Sequence, residues 1–105
     1  MIETEVLVPA GGDLAAAERV VESCCARQQL RLTLKGTLSR YPGCIHWHYK
    51  RGRERGTLEL TWWPRGRRLW IAVQNGRTGE WIEAAAAELK AILERREAWE
   101  AWEEP

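Results

Sequence analysis

Two histidines separated by one residue, His46 and His48, precede a carboxylate at Glu59, and Cys44 stands two residues before the first of them. Alternate side chains of an extended strand point the same way, so Cys44, His46 and His48 would present soft and borderline donors on one face. With Glu59 on a neighbouring strand, these are the donor types of a transition-metal site. A carboxylate beside imidazole also raises its basicity, which suits general acid-base catalysis. Both readings lack companions. Structural zinc sites use four ligands at recognised spacings that this chain does not have, and no nucleophile motif or Gly-rich phosphate cradle accompanies the pair. Neither a metal nor a cofactor is therefore expected, and the plainer reading is polar residues on a solvated sheet face.

The same region holds the positive charge. Residues 28 to 80 carry eleven Lys and Arg against three Glu, a net of +8, while residues 1 to 27 carry −3 and residues 81 to 105 carry −4. A total of +1 thus conceals a segregated field. Thirteen arginines against three lysines, with no phenylalanine, also match a GC-rich coding bias. Four of the seven tryptophans, Trp47, Trp62, Trp63 and Trp70, fall in the basic block.

A chain of 105 residues fits one domain with one core. No basic segment followed by an apolar run opens it, and no stretch approaches the roughly 20 apolar residues of a membrane span, so a cytosolic protein without membrane contact is expected. Three cysteines, Cys24, Cys25 and Cys44, leave one unpaired in any scheme and form no Cys-x-x-Cys, which predicts free thiols.

The elements that must position the candidate residues alternate clearly. Residues 2 to 8 read as a strand broken by Pro9-Ala10-Gly11-Gly12. Asp13 caps a helix over 13 to 28, with Leu14, Ala17, Val21, Cys24 and Cys25 on its apolar stripe. Four strands follow. Their apolar sets are Leu30, Leu32, Leu34 and Leu38; Ile45, Trp47 and Tyr49; Leu58, Leu60 and Trp62; and Leu69, Ile71 and Val73. Asn75-Gly76 would signal a hairpin, yet no strand follows it. Thr78 instead caps a last helix with Glu80 and Glu83 in its first turn. The reading is an α+β domain over 1 to 105, β-α-β-β-β-β-α, with a five-stranded antiparallel sheet and two helices on one face. This element order resembles TATA-binding-protein-like and helix-grip domains, a resemblance of order that implies a free sheet face and no particular function.

Pairing parity then predicts the free face. Four-residue loops at 52 to 55 and 64 to 67 place Leu60 opposite Trp47 and Ile71, and Trp62 opposite Leu69. Lys35, His48, Glu59 and Ala72 would form one outer row, Thr37, His46, Thr61 and Trp70 the next, with Trp63 opposite Arg68. Lys35, His46, His48, Glu59, Trp63, Arg68 and Trp70 are therefore the candidate ligand-binding residues. Two outward indoles expose apolar area that a partner would cover, or that Arg68 would cover by a cation-π contact with Trp63. An aromatic platform with a positive rim suits single-stranded nucleic acid or another polyanion, with Arg51, Arg53, Arg55, Arg65 and Arg67 as its cations.

The last helix reads as continuous from Gly79 to Glu104. At 1.5 Å per residue it would be roughly 39 Å long, against roughly 26 Å for strands of about eight residues, so residues from about 94 to 105 would overhang the sheet. Trp99 and Trp102 on the overhang are the candidate dimer contacts. The functional expectation is a small non-catalytic binding or interaction module, and a homodimer, meeting an anionic or aromatic partner through its sheet face and basic loops. The alternatives are a purely structural homodimer and a metal-dependent or His/Glu hydrolase.

Overall fold

A computed structural model describes residues 2–11, 13–73 and 79–100. Its elements are β1 (Ile2–Val6), a 3-10 turn (Leu14–Ala16), α1 (Ala17–Arg27), β2 (Arg31–Gly36), β3 (Ile45–Lys50), β4 (Leu58–Trp63), a second 3-10 turn (Pro64–Gly66), β5 (Arg68–Val73), α2 (Glu80–Leu93) and α3 (Arg96–Glu100). The strands form one antiparallel sheet in the order β1-β5-β4-β3-β2. The fold is α+β. The Asn75-Gly76 turn, the Thr78 cap and Trp102 lie outside the described residues.

Period-two alternation sends Val6, Trp47, Tyr49, Leu58, Leu60, Trp62, Leu69 and Ile71 to one side of the sheet. There they share a core with Val20, Val21 and Cys25 of α1, with Trp81, Ile82, Ala85, Leu89 and Leu93 of α2, and with Trp99 of α3. Asp13 starts the first helical segment by accepting the Ala15 N–H at 3.0 Å. Buried indoles favour an acceptor, and three of them find one: Trp47 Nε1 donates to Glu22 at 2.8 Å, Trp81 Nε1 to the Arg55 carbonyl at 2.7 Å, and Trp99 Nε1 to the Leu93 carbonyl at 2.8 Å. Burial pushes the Cys25 thiol up to about 12, so this cysteine is a core residue and no nucleophile. All three cysteines are free. Among the described residues no helix is long and apolar enough to cross a membrane.

The pairings of β3 with β4 and of β4 with β5 follow the predicted parity, with Trp47↔Leu60, Leu60↔Ile71, Trp62↔Leu69 and Trp63↔Arg68. β2 departs from it. An irregularity between Leu32 and Leu34 inserts one extra residue, so that Leu32 opposes Tyr49 while Leu34 opposes His48. From that point every side chain of β2 changes face. Leu34 lies outward and 48% exposed, and Lys35 leaves the predicted outer row for the helix side, where it pairs with Glu18 and Glu22 of α1.

The overhanging helix is also corrected. α2 stops at Leu93, α3 begins at Arg96 after two intervening residues, and Trp99 is 2% exposed inside the molecule's own core. A helix end leaves carbonyls without intrahelical donors, and the Trp99 indole caps the carbonyl of Leu93. Glu94 fastens the same corner by accepting the Leu7 backbone N–H at 2.8 Å and pairing with Lys90. Trp99 therefore cannot be the dimer contact anticipated for it, because its surface is already spent on the core.

Candidate functional site

The face of the sheet away from the helices is built from the residues between the core positions. One row across the strands runs Leu34, His48, Glu59, Ala72, Glu3; the next runs Gly36, His46, Thr61, Trp70, Glu5. His48↔Glu59 and His46↔Thr61 are direct cross-strand pairs, the arrangement in which side chains on one face meet. Parity thus brings together two imidazoles and a carboxylate from β3 and β4.

Their polar atoms converge. His46 Nε2 lies 3.1 Å from His48 Nε2 and 3.3 Å from Glu59 Oε1, and His48 Nε2 lies 3.8 Å from Glu59 Oε2. One donor atom from each residue falls within 4.8 Å of the others. Ligands of a tetrahedral ion with bonds of about 2.0–2.1 Å are about 3.3–3.4 Å apart, so these spacings fit a shared metal ion. They fit a proton shared among the three as well, and a metal titration separates the two. Glu59 is 4% exposed at its side chain and His46 10%. Burial holds the His46 imidazole below its ordinary range, with His48 adding to the effect and Glu59 opposing it. The neutral ring that results is the form that ligates metals.

Thr61 completes the arrangement, and the sequence reading placed it in the row without giving it a role. Its Oγ1 is 2.8 Å from His46 Nδ1. With Nδ1–H donating to that hydroxyl, Nε2 keeps its lone pair for the centre of the cluster; this tautomer is an assignment from the hydrogen-bond pattern. Cys44, weighed as a fourth donor, lies elsewhere. Its sulfur accepts the Leu38 N–H at 3.2 Å and sits 3.6 Å from Thr37 Oγ1, pinning the loop between β2 and β3.

That loop roofs the site. Gly43 takes φ +83°, a left-handed conformation that favours glycine, and the Cys44 N–H bonds the Tyr41 carbonyl at 3.0 Å. Tyr41 lies edge-on to Trp63 at 5.1 Å and to Trp70 at 4.9 Å between ring centroids, and Trp63 Nε1 donates to the Pro42 carbonyl at 3.2 Å. Arg68 stacks on Trp70 at 4.6 Å and is held by Glu5, with N to O distances of 2.9 and 3.2 Å. Trp70 is 4% exposed. The open aromatic platform is therefore corrected, since the chain itself buries Trp70 and half-buries Trp63, and on this face Arg68 lies over Trp70. Under the roof lies a pocket of about 310 Å³ with His46, Glu59, Thr61 and Trp70 among its walls.

The basic residues do not form one patch. Arg51 is tied inward, donating to the Gln28 carbonyl at 3.3 Å and lying 5.6 Å over the Trp81 ring. Arg53 and Arg55 are exposed at one end of β4, Arg65 and Arg67 at the other, about 20 Å apart for a six-residue strand. No protein-family model, curated protein or solved structure matches the chain. The site has to be read from its own chemistry.

Proposed function

We propose that this protein is a small metal-binding module in which His46, His48 and Glu59 hold one divalent ion of the zinc class beneath the roof formed by residues 38–41. The observation that carries the reading is the convergence of three donor atoms from three side chains within 4.8 Å on a largely buried surface. Two nitrogens and one oxygen favour zinc and neighbouring transition ions over calcium or magnesium, which prefer all-oxygen shells. Thr61 supplies the outer hydrogen bond that fixes ring orientation in such sites. Three protein ligands leave one coordination position open, the arrangement of ions that meet a further ligand. The sequence shows the two histidines and the cross-strand carboxylate without a four-ligand spacing framework; the convergence of their donor atoms and the hydroxyl behind His46 support the metal reading.

Competition with a chromophoric chelator tests this. Wild-type protein is expected to take up one zinc per chain, with His48→Ala abolishing tight binding and Thr61→Val weakening it about 10–100-fold, as removal of an outer-shell partner does. A wild-type chain that leaves zinc with a micromolar chelator, or a His48→Ala chain that binds as well as wild type, overturns the proposal.

A further inference from the structure

The pocket beside the cluster indicates what would occupy the open position. In the row His48, Glu59, Ala72, Glu3, the alanine is the one small side chain, so the sheet surface dips next to Glu59. Trp70 walls the dip and the residues Leu38 to Tyr41 roof it, enclosing about 310 Å³. That is the small end of the range for ligand pockets, about 300–1,000 Å³. Its walls are mixed. Leu38, Tyr41 and Trp70 give apolar surface, and the exposed Arg40 belongs to the roof, its guanidinium 5.7 Å from the Tyr41 ring centroid.

Charge narrows the choice. A divalent ion held by two neutral imidazoles and one carboxylate keeps a single net positive charge, and Arg40 adds a second, which Glu3 at the far wall offsets. The remaining single positive charge favours a monoanion, and a carboxylate can meet both an ion and a guanidinium. Resting on the metal reading above, we propose that this pocket binds a small aromatic carboxylate, its carboxylate completing the coordination of the ion and its ring lying against Trp70 and Leu38. A small ring with one carboxylate matches the size of the pocket, and Leu38 and Trp70 offer that ring apolar contact that inorganic phosphate could not use.

The test uses full-length protein loaded with cobalt(II), whose visible spectrum reports its coordination, and benzoate as the probe. Benzoate is expected to change the cobalt spectrum saturably, and neutral benzamide to leave it unaltered. Ala72→Leu fills the dip and Arg40→Gln removes the roof charge. Each is expected to weaken benzoate about tenfold, the scale of one charged hydrogen bond, while cobalt affinity stays within about twofold of wild type. Arg40 is exposed, so its variant keeps the test decisive if the buried Ala72 does not tolerate leucine. Cobalt uptake with no response to benzoate, or a response undiminished in Arg40→Gln, overturns the ligand proposal and leaves the metal reading standing. Failure to take up cobalt in the first titration overturns the metal reading, and this proposal with it.

Discussion

The two faces of the sheet are made by the same strands and differ in what covers them. On the inner face three helices bring aliphatic and indole surface, and every buried N–H of Trp47, Trp81 and Trp99 has an acceptor. On the outer face a single loop covers His46, Glu59, Thr61 and Trp70, leaving a pocket over groups that are costly to bury. Both faces leave openings, about 410 Å³ between β5 and α2 on the inner side, but the outer pocket has the buried polar groups His46, Glu59 and Thr61 in its walls, and that difference in lining is what makes it the candidate site. An alternating strand carries both faces, because neighbouring residues in sequence answer to different surroundings.

The sharpest way to break that contrast is at Trp99. If α3 belongs to the inner core, Trp99→Ala should cost about 3–5 kcal/mol in urea unfolding, as truncation of a large buried aromatic does. A loss below about 1 kcal/mol would mean that the inner face ends at α2 and that the helical cover is thinner than described. Tyr41→Ala probes the other side. It removes two edge-on ring contacts and should cost about 1–2 kcal/mol, while iodide quenching of tryptophan fluorescence rises as Trp63 and Trp70 are uncovered. Unchanged quenching would show that the roof is held without Tyr41.

The smallest effect is a dependence on pH, seen in metal-free protein. The folded state holds His46 below its value in the unfolded chain, about 6.5, chiefly through burial, with Glu59 opposing and His48 reinforcing the shift. Below that value the unfolded chain binds the proton more readily. The contribution to stability is therefore complete above about pH 6.5 and is lost as pH falls through the folded value. His46→Gln should flatten this part of the profile measured by thermal unfolding. An equal slope in wild type and variant would assign the dependence to other groups.

The sequence made the fold class and the β3-β4-β5 register legible because alternation and two short loops leave little freedom in pairing. His46, His48 and Glu59 were grouped correctly by that parity alone. Three features stayed hidden for local reasons. Leu30, Leu32 and Leu34 repeat with a perfect period, which gives no sign of an extra residue, although Glu18 and Glu22 on α1 were waiting for a cation on the helix side. Thr37 and Leu38 read as a continuation of the alternating strand, whereas residues 37–44 are an eight-residue roof; its anchor, Cys44 on Leu38, is a contact that no pattern encodes. Arg95 and Arg96 visibly interrupted the last apolar stripe. The interruption marks a change of direction, and treating it as an exposed continuation misplaced Trp99.

The irregularity in β2 has one more consequence. β2 is an open edge of the sheet, and a straight edge offers a row of unpaired backbone groups on which a foreign strand can add, the first step of cross-β growth. At Thr33 the ladder loses its even spacing, the threonine hydroxyl donates to the His48 carbonyl at 3.1 Å, and the lysine that follows turns back to its own helix. A strand arriving at this edge meets a broken rhythm. One extra residue thus protects against aggregation a border that carries two of the most exposed leucines in the molecule, Leu32 and Leu34.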